Sequence, residues 1–408
     1  MRDRVVVLGA GVAGLTTAIA LARGGVTVDV LERDRVPAPL GRRSAASWVR
    51  EGAPQTQHAH VFGPDCHRLL ASGLPDVLAL LLAAGARESA AREAAGHGLT
   101  LALRRPLLDW VLRRVAEREP GVRVHCGTPA TGLRTDGSRL TGVLVPGGVL
   151  DAEVAVDATG GRTRTASWLA DLGYARADLA QADPLPTTTY YSRGYALRWP
   201  GDAATPGAAA GGCFDGYQCR AVPGDNDSFT VTFAIPDSST GPSEVLSPLR
   251  LPDGFQAAAE HVPAISEWVD PGTADPLTGV AVLREWPPAR PQGLPSLAVL
   301  PGLVAVGDAS RVPDPITGNG VALALAQGLA CAAELLGVVC DGSATEPPVG
   351  TEPPVGTAVS VGTAVSVETA GAWESGLPVP RRSPLAGPNA HELTRIAGSV
   401  GSIARISA

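Results

Sequence analysis

Gly9-Ala-Gly-Val-Ala-Gly14 follows the apolar run Val5-Val-Val-Leu8 and leads into Leu15–Arg23. Near the other end of the chain, Gly307-Asp-Ala-Ser-Arg-Val-Pro-Asp-Pro-Ile-Thr-Gly-Asn-Gly320 follows Leu303-Val-Ala-Val306 and leads into Val321–Leu336. Both read as buried strand, glycine-rich turn and helix. Val26-Thr-Val-Asp-Val-Leu31 then gives a second parallel strand that ends in Glu32. Continuous apolar runs of this kind belong to strands covered on both faces, so the chain is read as α/β with a Rossmann-like first domain.

The spacing Gly9-x-Gly11-x-x-Gly14 has a physical use in that setting. Gly9 permits the tight turn, Gly11 lets the backbone approach a pyrophosphate, and Gly14 lets helix and strand pack closely. The phosphates then meet a helix N-terminus, whose free N–H groups and dipole favour negative charge. Glu32 stands where a carboxylate accepts ribose hydroxyls, and an acid there disfavours a 2′-phosphate. FAD and NAD both remain open on this motif alone. The second segment points to a flavin. Asp308 follows a buried strand and is placed for ribityl hydroxyls. Pro315 fixes the backbone, and Gly318, Asn319 and Gly320 expose N–H groups at a helix start that can stabilise charge on a reduced flavin ring. A third segment, Asp157-Ala-Thr-Gly-Gly161-Arg162, follows the strand Val154–Asp157 and brings backbone beside the cofactor.

Composition narrows the classes. The 408 residues carry a net charge of −7, which gives no reason to expect nucleic acid or an anionic membrane as partner. All 33 basic residues are arginine, so chemistry that needs a lysine amine is excluded, and no tryptophans form Trp-x-Trp; a halogenase is rejected on both grounds. The longest apolar stretch, Val321–Cys340, reads as a buried helix, and the start of the chain lacks a signal-peptide core. A cytoplasmic protein is expected, with its six cysteines as reduced thiols rather than disulfides or metal ligands. Further along, Cys66–Ala84 reads as helix and Arg105–Glu119 as an amphipathic helix. Thr187–Leu197, Phe229–Ile235 and Val280–Trp286 read as antiparallel strands of a second lobe, and Gly207–Gly212 as a loop. Residues 345–368 are four hexapeptides in tandem, TEPPVG twice, then TAVSVG and TAVSVE, read as a flexible tether.

The three glycine segments together resemble the FAD-dependent monooxygenases of the para-hydroxybenzoate hydroxylase fold. GAGVAG with Glu32-Arg33, DATGGRTRTASWLADLGY and GDASRVPDPITGNG look like that family's three motifs, over about residues 4–336. Arg50-Glu-Gly-Ala-Pro-Gln55, with His58 and His60, the helix start Arg105-Pro-Leu-Leu-Asp109, and Tyr191-Ser-Arg193-x-Tyr195 look like bacterial natural-product tailoring oxygenases, including polyether epoxidases. The resemblance implies a discontinuous FAD domain (residues 1–70, 100–175 and 290–340) and an antiparallel-sheet substrate domain (71–99 and 176–289). The 345–368 linker and a 369–408 tail follow. It implies FAD held by Gly9, Gly11, Ala13, Gly14, Glu32, Arg33, Arg105, Asp157, Asp308, Pro315, Gly318, Asn319 and Gly320. Arg42, Arg50 and His58 are candidates beside the flavin, and Tyr191 and Arg193 candidates for the substrate. NADPH or NADH would be a transient reductant, and a C4a-(hydro)peroxyflavin would hydroxylate or epoxidise a small organic molecule. Two alternatives stand beside this: an FAD-dependent alkene reductase without oxygen transfer, and a non-redox or degenerate FAD-binding protein.

Overall fold

Val5, Val6, Val7 and Leu8 are fully buried because their strand lies in the middle of a parallel sheet, with layers packed on both faces. In the computed structural model, the described residues are 4–35, 38–39, 41, 48–90, 98–174, 188–199, 209–236, 248–285, 300–313, 318–340 and 386–406. The first lobe opens with β1 (Arg4–Leu8), α1 (Val12–Arg23) and β2 (Thr27–Glu32), the unit expected from the first glycine segment. It continues through α2 (Pro64–Gly73), α3 (Pro75–Ala83), the hairpin β3 (Arg87–Ala90) and β4 (Leu99–Ala102), α4 (Arg105–Arg118) and β5 (Val122–Cys126). A small antiparallel sheet of β6 (Gly132–Thr135), β7 (Leu140–Val145) and β8 (Gly148–Asp151) precedes β9 (Val154–Asp157) and α5 (Thr165–Asp171).

The second lobe holds β10 (Thr188–Leu197), β11 (Ala210–Phe214), β12 (Tyr217–Pro223) and β13 (Ser228–Pro236), then α6 (Pro252–Glu260), α7 (Ser266–Val269), β14 (Ala274–Pro276) and β15 (Ala281–Glu285). The chain returns to the first lobe with β16 (Leu303–Ala305) and α8 (Gly320–Cys340), and ends in α9 (Ala390–Ile406). The first sheet runs β16-β9-β1-β2-β5, parallel throughout, so the glycine segments that follow β1, β9 and β16 all leave one sheet at the same end, the middle one between the other two. Val5, Val7, Val28 and Val30 face α1, α4 and α8, while Val6 and Leu8 face the β6–β8 sheet and α5. Strand alternation alone divides the two layers.

The second sheet runs β11-β12-β13-β10-β14, with β15 also paired to β10. Tyr191, Tyr195, Cys219, Phe229, Val231 and Phe233 pack one of its faces against α6, α7 and α9. α9 thus belongs to the second lobe's core rather than to a tail: Ala390, Leu393 and Ala397 are buried there. Three further expectations change. The described residues of 71–99, expected in the substrate domain, belong to the first lobe, where Leu74, Val77, Leu78 and Leu81 pack in one core with α1 and α4. The helix read across Cys66–Ala84 is broken at Leu74–Pro75 and bent by 117°, because proline disfavours helical backbone in the residue before it. Gly211 and Gly212, read as loop, lie in β11; Gly211 has φ +98°, and a side chain there would meet the Cys219 carbonyl at 2.1 Å. The hexapeptide repeats, Arg42 and Pro315 lie outside the described residues.

The lobes are joined where the β12–β13 turn docks on the first lobe. Asp225 takes the Arg104 guanidinium at 2.7 Å and the Arg104 N–H at 2.9 Å, and the Asn226 amide reaches the Ala84 carbonyl at 3.0 Å. Burial opposes the charge on Asp225, but Arg104 outweighs it and holds this carboxyl below its ordinary pKa.

Candidate functional site

The three glycine segments converge. A side chain on Gly9, whose φ is +101°, would meet the Ala158 carbonyl oxygen at 2.6 Å, so the first turn rests on the middle segment. A side chain on Gly307 (φ +62°) would meet the Ala13 methyl at 3.0 Å, and one on Gly161 would reach Val312 at 2.9 Å. Gly11 differs from these: a methyl there would have nothing within 4 Å. Its backbone therefore presents an open surface at the head of α1, where a pyrophosphate needs room.

A line of alternating charge runs from the first segment to the last. The Arg50 guanidinium, buried, donates to Glu32 Oε2 at 2.7 Å and to Asp109 Oδ2 at 2.9 Å. Arg105 donates to Asp109 Oδ1 at 2.6 Å, and its charge also acts on Asp308. Asp109 is fully enclosed; burial opposes its charge, but Arg105 and Arg50 hold its pKa below the ordinary range. Among the described residues, Arg33 donates to the Gly52 carbonyl at 3.3 Å, and its charge acts on Asp34. Arg105 and Arg50 thus flank a shared carboxylate that the sequence reading quoted without a role.

These residues fit an FAD on three observations. Glu32 accepts bonds from the Ala10 and Asp34 amides and from Arg50, which uses three of a carboxylate's four acceptor positions and leaves one for a ribose hydroxyl. Asp308 makes no side-chain hydrogen bond to a described residue, and burial raises its pKa against the pull of Arg105. A ribityl hydroxyl would supply the missing partner. Asn319 caps α8 by accepting from Leu323 at 3.0 Å, so the first amides of α8, beginning at Gly320, have no partner within the helix. Gly318 enters with φ +68°, a conformation that favours glycine. Gln327, which the sequence reading missed, ties the Gly307 amide to α8 at 2.6 Å. Its signal was a polar residue seven positions into an apolar helix that starts at Gly320.

Asp157 is placed differently from a ligand contact. It is fully buried and accepts from the hydroxyls of Thr159, Thr163 and Thr165, so it shapes the middle turn, and what that segment offers a cofactor is backbone. Tyr191 and Arg193 stand on the β10 face covered by α6, α7 and α9; Arg193 donates to the Pro252 and Thr278 carbonyls. The opposite face of β10 meets the first lobe. There His58 Nδ1 lies 2.7 Å from Ser192 Oγ, which lies 2.6 Å from Thr232 Oγ1, and the His58 and Tyr190 rings meet edge to face at 6.3 Å. Burial pushes the His58 pKa down to about 4 and that of His60 to about 3, so both are neutral at pH 7. His60 must carry its proton on Nδ1 to donate to the His58 carbonyl at 2.9 Å, which leaves its Nε2 as an acceptor.

Comparison with known proteins agrees with this geometry. Residues 4–105 match the family described as FAD dependent oxidoreductase. The match spans the β1–α1–β2 unit and runs to the start of α4. Over 366 residues the chain is 29% identical to Protein Rv3254 of Mycobacterium tuberculosis, covering 79% of this chain and 70% of that protein. Its fold is similar to that of PqsL, a probable FAD-dependent monooxygenase from Pseudomonas aeruginosa, with a TM-score of 0.60 at 18% identity over 85% of this chain and 88% of that one. It is also similar to the flavin-dependent brominase Bmp2 (TM-score 0.59, 18% identity, 83% and 80% covered). The Diels-Alderase PyrE3 matches with a TM-score of 0.56 at 17% identity, covering 83% of this chain and 66% of that one. The chain therefore has a fold that hosts several chemistries, and its own residues must separate them.

Proposed function

We propose that this protein is an FAD-dependent monooxygenase that takes electrons from NADH or NADPH and uses O₂ to hydroxylate or epoxidise a small organic molecule of natural-product type. The observation that carries the reading is the line Glu32–Arg50–Asp109–Arg105–Asp308, which joins the head of α1 to the head of α8 beside a polar sheet face in the other lobe. When bound, FAD supplies the electron storage and the activation of O₂. The protein's part is binding, orientation and polarisation. Glu32 and Gly11 hold the adenosine and phosphates, Arg105 neutralises phosphate charge, and Asp308 takes a ribityl hydroxyl. The first amides of α8 would supply preorganised donors to a bound flavin, stabilising negative charge that develops on it. The substrate would lie between that ring and the face carrying Tyr190, Ser192 and Thr232, with neutral His58 and His60 as proton acceptors.

The test is direct. Purified protein should carry FAD, bleach anaerobically with NADH or NADPH, and on readmission of O₂ convert a substrate to a product heavier by one oxygen. Reduction by NAD(P)H with loss of a substrate double bond and no oxygen incorporated would replace this reading with an alkene reductase. Bound FAD that neither nicotinamide reduces would replace it with a non-redox role, as the likeness to a Diels-Alderase would allow.

A further inference from the structure

The start of α4 is unfavourable by its own sequence. Arg104, just before the helix, makes no side-chain cap, and the first turn holds no acid. Two guanidiniums, Arg104 and Arg105, stand instead at the positive end of the helix dipole, where carboxylates are favoured. In a capping box, an acid at the third helical position accepts the N–H of the residue before the helix. Here that position is Leu107.

The missing carboxylate comes from the other lobe. Asp225 Oδ2, in the β12–β13 turn, accepts the Arg104 N–H at 2.9 Å, as the capping-box acid would. Oδ2 also takes Arg104 Nε at 3.2 Å, while Oδ1 takes Arg104 Nη2 at 2.7 Å and the Asn226 side-chain amide at 3.0 Å. All four acceptor positions of the carboxylate are thus filled. The turn is shaped for this contact. Asn226 and Asp227 have φ of 50° and 53°, and the Asn226 N–H donates to the Gly85 carbonyl at 3.0 Å. A side chain on Gly224 would meet the stem of Arg104 at 2.9 Å. The next residue of α4 turns the other way. Arg105 donates through Nε to Asp109 at 2.6 Å, and its charge acts on Asp308. Among the described residues, its two terminal nitrogens have no hydrogen-bond partner, although the side chain is only 11% exposed. Neighbouring residues at one helix start therefore serve the second lobe and the cofactor line.

We propose that Asp225 is a positioning residue for FAD: from the second lobe it caps α4, fixes Arg105 toward the cofactor phosphates, and so couples docking of that lobe to occupancy of the cofactor site. The inference rests on the flavoenzyme reading above and adds a residue that never touches the cofactor. Without the carboxylate, two like charges and an uncapped first turn would meet at the head of α4, and the turn would fray. Arg105 is the first residue of that turn. Coupling between sites is reciprocal, so bound FAD must steady the β12–β13 turn as much as the turn steadies FAD.

The experiment titrates FAD into the full chain stripped of cofactor, read by flavin fluorescence, with thermal midpoints taken on the FAD-free samples. Asp225→Asn keeps the shape, loses the charge and should weaken FAD by ~10-fold. Arg87→Gln removes the outer, solvent-facing pair with Asp227, leaves the cap, and should change FAD affinity by less than about twofold. Arg105→Gln should weaken FAD by ~10-fold or more. Adding Asp225→Asn to it should then cost less than about twofold, because the cap acts through Arg105. Should Asp225→Asn fail to fold, Arg104→Met with Asp225→Leu replaces the whole pair by apolar side chains and should show the same loss of FAD. Hydrogen exchange in wild type should slow on FAD binding at the first amides of α4 and at Asn226. Unchanged FAD affinity in the capping variant, an equal loss in Arg87→Gln, losses that multiply in the double variant, or no slowing at Asn226 overturns the proposal. If the wild type takes up no FAD, the flavoenzyme reading falls by itself. Hydrogen exchange then decides the cap: the first turn of α4 should exchange faster in Asp225→Asn than in wild type, and equal rates overturn it.

Discussion

A methyl group on Gly14 would sit 2.1 Å from the Gly9 carbonyl oxygen, whereas one on Gly11 would have nothing within 4 Å. Two glycines of one motif therefore fail in different ways. Gly14→Val should prevent folding, a loss beyond about 4 kcal/mol. Gly11→Val should fold with a thermal midpoint close to that of FAD-free wild type, because Gly11 has an ordinary φ of −85°, yet fail to take up FAD by blocking the phosphate. Absorbance at the flavin band and thermal melts of both variants check this, and full FAD occupancy in Gly11→Val would contradict it. His58 makes a pH prediction. Its pKa of about 4 in the fold lies below the ordinary 6.5, so the unfolded chain binds the proton first on acidification. Its contribution is whole above pH 6.5 and is lost as pH falls toward 4, up to about 3 kcal/mol. Urea unfolding at pH 7.5, 6 and 5 should show the decline, and His58→Gln should make it shallower, the remainder coming from His60, whose pKa burial lowers in the same direction.

At the scale of an element, α8 combines a packing job with an electrostatic one. Gly328 lets it lie against α1, since a side chain there would meet the Ala13 carbonyl at 2.9 Å, and Thr17 donates to the Gly328 carbonyl at 3.3 Å. The head of the helix is looser: among the described residues, a side chain on Gly320 would meet only Pro313, at 3.5 Å. Proline is tolerated in the first turn and removes one N–H. Gly320→Pro should thus keep the fold and the bound FAD but slow substrate oxidation by roughly 100-fold, the worth of one preorganised donor. Product formation under saturating FAD and NAD(P)H measures it; unchanged turnover would show that the helix start does not face the reacting ring.

At the scale of the molecule, the second lobe depends on a helix far along the chain. α9 closes the core under β10–β13, with Leu393 fully buried and a side chain on Gly254 meeting the Ala397 carbonyl at 3.0 Å. Leu393→Ala should cost about 2–5 kcal/mol, as buried leucines do. Urea denaturation of the full chain gives the number, and a loss below about 0.5 kcal/mol would mean that α9 merely rests on the surface. The junction between lobes is ionic as well as apolar. The Arg104–Asp225 pair is enclosed at the β12–β13 turn, so the turn holds the polar sheet face at a fixed height over the glycine segments.

The sequence by itself determined the parallel β1–α1–β2 unit, the return of the chain at β16 and α8, and the acid at the end of β2. These follow from short-range causes: apolar runs, glycines that only certain turns need, and a carboxylate at a strand end. It also marked β10 as a strand, but Tyr190 and Tyr191 are adjacent and alike, and alternation gives two faces without saying which one a helix covers. Only the packing of α6, α7 and α9 decided that Tyr191 and Arg193 turn away from the first lobe and that Ser192 and Thr232 meet His58. Likewise Asp157 looked available until three threonine hydroxyls closed on it. Local pattern fixes an element and its period; which side faces what is a property of the contacts that distant segments make.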